Sequence, residues 1–273
     1  MFNELAVRSS RRRIAGLVAL SIGGGLLAAG FLQLIHLQEA RGFGSLSPLC
    51  RVTTKDRVVA LTFDDGPDRT YTPVVLRLLG RHGARATFFL VGEQAVSHPS
   101  LVRTELRAGM QVEDHTWSHP SLAHLSLDDV RTEVQQTQAA LRAMGAPPVR
   151  YFRAPFGQAT PEQLAMVREL ELTPVHWTLA IDHYVGGMGL DPRSAAQVLA
   201  SDVRPGDIIL AHDAPAGGID RDPAMRTLEL LLPILQAQGY RFVTLDELLQ
   251  SGTPIQARSR QWFWQTGFSC PVD

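Results

Sequence analysis

The sequence predicts a mainly parallel α/β barrel. Short apolar runs recur along the chain, helical periodicities separate them, and polar residues suited to chemistry sit just after the runs. Candidate strands lie near residues 57–63, 86–91, 110–114, 151–155, 174–179, 207–212 and 241–244. An open doubly wound sheet fits the same alternation. The barrel is preferred because five of these runs deliver carboxylate, imidazole or guanidinium groups, and a parallel barrel opens all its C-terminal strand ends onto one face.

The elements follow in order from residue 57. RVVALTF reads as a buried strand, short and valine-rich, and residues 71–82 carry apolar positions at helical spacing. ATFFLV reads as the next strand. Further helices are predicted near 94–108, 127–144, 161–169, 192–202, 223–238 and 245–250. Ser126 followed by Asp129 resembles a capping box with Asp in place of Glu, which marks a helix start. This globular domain is expected to span 55–250.

Upstream, residues 1–13 form a basic terminus ending in Arg11, Arg12 and Arg13. Residues 14–35 are a run of about 22 uncharged residues, long enough to cross a bilayer as a helix. The arginines on one side and Glu39 on the other put the N-terminus in the cytoplasm and the rest outside the cell membrane. A cleaved signal peptide is the alternative, although its apolar core is usually shorter; a buried soluble helix is a third reading. Residues 36–54 read as a linker broken by Gly42, Gly44, Ser45, Ser47 and Pro48. The tail, 251–273, carries Trp262, Phe263, Trp264 and Phe268, which suit docking on the barrel, stacking on sugar rings or touching a membrane interface. Cys50 and Cys270 flank the domain and either pair in an oxidising compartment or stay as two thiols. The net charge of −1 offers no basic footprint for nucleic acid, and no protein partner is predicted.

The chemistry is concentrated after the strands. Asp64 and Asp65 end the first (TFDDGPD), His115 and His119 follow the third (EDHTWSHP), and Arg153 ends the fourth (YFRAPFG). Asp182 follows the fifth (HWTLAID), and His212 ends the sixth (IILAHD). His115 and His119 stand four apart, so on a helical turn they would face the same way. Alone, such a pair equally suits helix packing. With an aspartate it makes a three-ligand site with an open position, the arrangement of catalytic zinc. Neighbouring residues at a strand end point in different directions, so one aspartate can bind metal while the other serves as a base. The DDGPD stretch also reads as a turn. His212 suits a general acid, because the histidine pKa lies near neutrality, and Arg153 suits a partner that keeps a carboxylate ionised.

TFDDGP, HTWSH, RAPFG and LAH, in that order, resemble four of the five motifs of the polysaccharide deacetylases of carbohydrate esterase family 4, over about residues 55–250. The resemblance implies a distorted (β/α)7 barrel and one divalent ion, Zn2+ first, with Co2+, Ni2+ or Mn2+ as alternatives. It implies Asp64 as base, Asp65, His115 and His119 as metal ligands, and Arg153 orienting Asp64. His212 would be the acid, tuned by Asp182. Leu210 would line the acetyl pocket, and the backbone N–H of Phe156, after Pro155, would steady the oxyanion. The fifth motif departs: His183 and Tyr184 stand where tryptophan is expected after the aspartate, so Tyr184 is expected to line an altered groove. The implied reaction removes acetyl groups from N-acetylated sugars of a cell-wall or extracellular polysaccharide. O-deacetylation and silent glycan binding are the alternatives.

Overall fold

A computed structural model describes residues 47–257 together with Cys270. The expected anchor at 14–35 and the aromatic residues of the tail lie outside these residues. Among the described residues no helix is long and apolar enough to cross a membrane.

The centre of the fold is β2 (Val58–Asp64), buried along its whole length as a parallel-sheet strand must be. β3 (Thr87–Leu90), β4 (Gln111–Asp114), β5 (Tyr151–Phe152) and β6 (Thr173–Pro174) follow on one side. β8 (Ile208–His212) and β7 (Leu179–Ala180) lie on the other, and every pairing is parallel. β9 (Arg241–Val243) pairs with the first half of β2, opposite β8. The result is an α/β half-barrel; among the described residues no ladder joins β6 to β7.

The strand expected over 174–179 is therefore two short strands around an irregular middle. That middle bonds to other parts of the chain. His176 N–H donates to Leu49 O at 2.8 Å, Val175 bridges Leu49, and Thr178 N–H donates to Ile208 O at 2.9 Å. Leu49 belongs to β1 (Leu49–Thr53), which lies within the expected linker, and β1 pairs antiparallel with β10 (Thr253–Gln256), within the expected tail. Cys50 and Cys270 form a disulfide across 5.6 Å between Cα atoms, and both are buried. Cys270 N–H donates to Trp177 O, tying the tail to the same irregular segment.

Eight α-helices of the described residues surround the sheet: α1 (Thr72–Arg81), α2 (Gly92–Ser97), α3 (Pro99–Arg107), α4 (Leu127–Ala143), α5 (Pro161–Glu169), α6 (Pro192–Asp202), α7 (Asp222–Ala237) and α8 (Leu245–Gln250). The helix expected over 94–108 breaks at His98 because Pro99 disfavours helical backbone in the residue before it. The predicted start at Ser126 is present, with its hydroxyl accepting from Asp129 N–H. Thr160 and Thr244 each complete a capping box.

Strand alternation places the site. Val59, Leu61 and Phe63 of β2 pack outward with Leu79 and Leu228 under the helices. Val58 and Ala60 face inward with Phe89, Trp177 and Leu210. Continuing the inward period of two leads through Thr62 to Asp64 at the mouth. On β8 the same period leads through Ile208 and Leu210 to His212, and the register sets Asp64 beside His212.

Glu105, on α3, is fully buried, and neither of its oxygens has a hydrogen-bond partner among the described residues. Burial, and then the charge of Asp213, push its pKa well above the ordinary 4.5. The folded protein thus retains a proton that the unfolded chain releases above that pH, so stability falls as pH rises. Glu105→Leu is expected to flatten this dependence and raise Tm at pH 8, by about 2–4 °C per kcal/mol for a domain this size. A lower Tm at pH 8, measured by scanning calorimetry, would contradict the account.

Candidate active site

The site begins with the turn after β2. Asp65 adopts a left-handed backbone (φ 75°), which swings its side chain away from that of Asp64. The next residue is Gly66 because a Cβ there would collide with the buried carboxylate of Asp213. Asp213 in turn accepts a hydrogen bond from the Thr72 hydroxyl, and burial raises its pKa to about 7.

His115 and His119 are not on a helical turn; residues 115–120 are loop. The loop is held from below. Glu133 of α4 accepts from Trp117 N–H at 2.9 Å, Ser118 N–H at 2.8 Å and the Ser118 hydroxyl at 2.9 Å. Asp114 accepts from Thr116 N–H at 2.8 Å. Left-handed backbone at Thr116 and His119 turns the two rings toward each other, with centroids 4.9 Å apart. Of the five non-glycine residues with positive φ among those described, Asp65, Thr116, His119 and Phe156 belong to this site. Such strained conformations persist only where surrounding bonds hold them, and they gather at functional sites.

Asp65 Oδ1 lies 3.4 Å from His115 Nε2 and 3.2 Å from His119 Nε2. Ligands held at about 2.0–2.2 Å from one tetrahedral ion stand about 3.3–3.5 Å apart, so these three fit a divalent cation. His115 Nδ1–H donates to Arg153 O at 2.8 Å, which leaves the Nε2 lone pair facing the other two donors. Burial and the neighbouring His115 lower the pKa of His119, favouring the neutral ring that a metal needs. Burial opposes ionisation of Asp65, but a proton on His115 Nε2, where that ring is protonated, and the charge of the nearby imidazoles in the same state lower its pKa overall.

Asp64 stands beside this group without belonging to it. Its Oδ2 is 3.8 Å from His115 Nε2, while Oδ1 accepts from Arg153 Nη1 at 2.6 Å. Arg153 is fully buried, bonded also to Thr62 Oγ1 (2.9 Å) and His176 O (3.2 Å), and its guanidinium lies 4.1 Å from the centre of the Phe89 ring. Across the mouth, His212 Nδ1 bonds Asp182 Oδ2 at 2.7 Å. Burial alone would lower the His212 pKa, but the hydrogen bond and charge of Asp182 raise it overall. Asp182 stands beside His212 although the tryptophan expected after it is missing.

The expected pocket residues divide. Leu210 lies on the inner face two residues before His212, and Pro155 is buried. Phe156 is exposed, with its ring 4.8 Å edge-on from His119. Tyr184 is not at the groove, which corrects the expectation. A π-helical turn at His183–Gly187 buries its ring, and its hydroxyl donates to Asp202 at 2.7 Å. Sequence reasoning missed Arg221, which contacts both Asp182 and Asp65. No motif pointed to it, because it sits in a loop nine residues after His212, where an arginine reads as a surface residue. Beside His119 a cleft of about 340 Å3 is lined by Asp65, Asp68, Glu93, Ser118 and Pro215, within the usual size range of small-ligand pockets.

Residues 51–175 match the family model described as polysaccharide deacetylase. A chitooligosaccharide deacetylase of Bradyrhizobium is 36% identical over 70% of this chain and 90% of its own length. The chain belongs to the polysaccharide deacetylase family. As a member of that family it is a hydrolase. Among solved structures, a peptidoglycan N-acetylglucosamine deacetylase is 31% identical with a TM-score of 0.68, covering 75% of this chain and 93% of that one. A mutant of a family 4 pseudoenzyme with restored enzymatic activity is 27% identical with a TM-score of 0.67, covering 75% and 72%. The deacetylase fold therefore agrees with the half-barrel observed here.

Proposed function

We propose that this deacetylase removes acetyl groups from N-acetylated sugar residues of a cell-wall or extracellular polysaccharide. One observation carries the reading: a buried carboxylate, Asp64, is held by Arg153 beside three converging metal donors and opposite a carboxylate-paired histidine. The pseudoenzyme neighbour means that fold alone does not argue for activity; the complete residue set does. The relatives' names support an N-acetylated glycan as substrate.

In this reading Asp64 accepts the proton of the attacking water, and Arg153 fixes which oxygen does so. His212 donates its proton to the departing amine, with Asp182 holding Nδ1–H so that Nε2 faces the substrate. Leu210 offers an apolar wall to the acetyl methyl group, and the Phe156 N–H steadies charge on the carbonyl oxygen. A divalent ion held by Asp65, His115 and His119, for which zinc suits the donors best, would supply Lewis acidity to the carbonyl and the water. The disulfide and the apolar run at 14–35 support a membrane-tethered domain facing an oxidising compartment outside the cytoplasm.

The test is acetate release by the purified protein from peptidoglycan, chitooligosaccharides and acetylated xylan, with and without chelator. Release from the N-acetylated glycans is expected, with loss of at least about 90% of the rate after chelation and recovery on adding Zn2+. Release from xylan alone would replace the reading with O-deacetylation. Chelator-insensitive release would reject metal dependence.

A further inference from the structure

Arg221 immediately precedes α7 and is buried, with 3% of its surface exposed. Its guanidinium is directed wholly inward. Nε donates to Ala214 O at 2.9 Å, Nη1 to Asp182 Oδ1 at 2.9 Å, and Nη2 to Asp65 Oδ2 at 3.4 Å. Its backbone N–H donates to the Tyr71 hydroxyl at 3.3 Å, which fixes the start of α7 against the end of the loop before α1.

The two carboxylates serve different halves of the site. Asp65 turns its other oxygen, Oδ1, to His115 and His119, and Asp182 turns its other oxygen, Oδ2, to His212. One rigid, planar cation thus holds the outer oxygen of each. Lysine could not do this, because an ammonium is a point charge on a flexible stem, while a guanidinium presents a fixed fork. The anchor at Ala214 O sets the plane of the fork from a third direction.

We infer that Arg221 is a positioning residue that sets the distance between the proton donor, His212, and the metal-binding group of Asp65, His115 and His119. It acts through the two aspartates and touches no reacting atom. The roles of His212 and of the metal-binding group, and the kinetic part of the test, rest on the proposed function; the hydrogen bonds of Arg221 do not.

The test uses the full chain with Arg221→Met and Arg221→Lys. Thermal unfolding establishes that each variant folds. Proton NMR then follows the low-field Nδ1–H resonance of His212, identified by its loss in His212→Gln. Acetate release gives kcat and KM. In folded Arg221→Met, the resonance is expected to vanish or move upfield. Its kcat is expected to fall about 10–100-fold with KM within about twofold, as for misplacement of a reacting group by an ångström or so. Added guanidinium ion should restore part of both signals, and Arg221→Lys should recover less than half of kcat. Arg221→Met with an unchanged resonance and kcat overturns the proposal. So does a loss of rate that guanidinium leaves unchanged while the resonance persists, since that marks a merely structural residue. Should Arg221→Met fail to fold, Arg221→Lys with wild-type resonance and kcat overturns it equally. If the wild-type protein itself releases no acetate, the deacetylase reading fails while the resonance still decides the role of Arg221.

Discussion

Asp64→Asn is expected to leave a folded protein that binds Zn2+ as tightly as wild type and releases acetate about 10²–10⁴-fold more slowly. The amide cannot take a proton from water at neutral pH. Its carbonyl oxygen can still accept from Arg153 Nη1, and the guanidinium keeps its Nη1 bond to Thr62, its Nη2 bond to His176 O and its contact with Phe89. Complete removal of one partner of a buried pair is worth about 3–5 kcal/mol of destabilisation. The isosteric amide is expected to lose less than that, because the contact remains as a neutral hydrogen bond. Separating metal affinity from rate is what makes the variant informative. Asp64 lies 3.8 Å from His115 Nε2, whereas Asp65 lies at 3.4 Å and 3.2 Å from the two histidines. If Asp64→Asn lost the ion in a calorimetric titration while Asp65→Asn kept it, the roles of the neighbours would be reversed. Wild-type turnover in Asp64→Asn would remove the base from the mechanism altogether.

His119→Ala should do the opposite and strike metal binding first. Its ring is the least buried of the three candidate ligands and packs against the Phe156 edge and the tilted His115 ring, so the fold should tolerate its loss. Even groups that merely orient a ligand contribute about 10–100-fold in metal affinity, so removing a ligand is expected to weaken Zn2+ by more than about a hundredfold. Activity at limiting Zn2+ should disappear and return partly at high Zn2+. Tm in the presence of chelator should match wild type, because without the ion the ligand contributes no binding energy to folding. Unchanged Zn2+ affinity in His119→Ala would disprove the three-donor site. His115→Ala is a poorer probe, because that ring also donates to Arg153 O from a fully enclosed position, and its loss would disturb the base as well.

Much of this was legible in the residues alone, for reasons of local physics. RVVALTF and DIILAH are short, nearly continuous apolar runs, which mark buried strands and place Asp64 and His212 at their ends. Helix boundaries at Ser126, Pro161 and Leu245 follow from capping chemistry within a few residues. Two histidines and a pair of aspartates arriving after parallel strands mark a candidate metal group, and the family resemblance singled out Asp65 of the pair.

Other features depended on distant partners. The 174–179 run has strand-like composition, yet its middle residues bond to Leu49 and Ile208, segments 126 and 30 residues or so away in sequence, and a ladder with its neighbour is lost. The pairing of β1 with β10, and of Cys50 with Cys270, likewise joins the two ends of the described chain. His115 and His119 were expected to converge through helical spacing; they converge instead through left-handed loop residues held by Glu133, which lies on the following helix, α4. Tyr184 left the groove for Asp202, and Arg221 entered the site from a loop with no motif. The amino-acid order alone therefore placed the strands, the helix ends and the polar residues that follow the strands, because these depend on short apolar runs and on contacts a few residues apart. The folded chain decided which oxygen of each aspartate meets which partner, because hydrogen bonds between remote segments depend on distances that only tertiary packing defines.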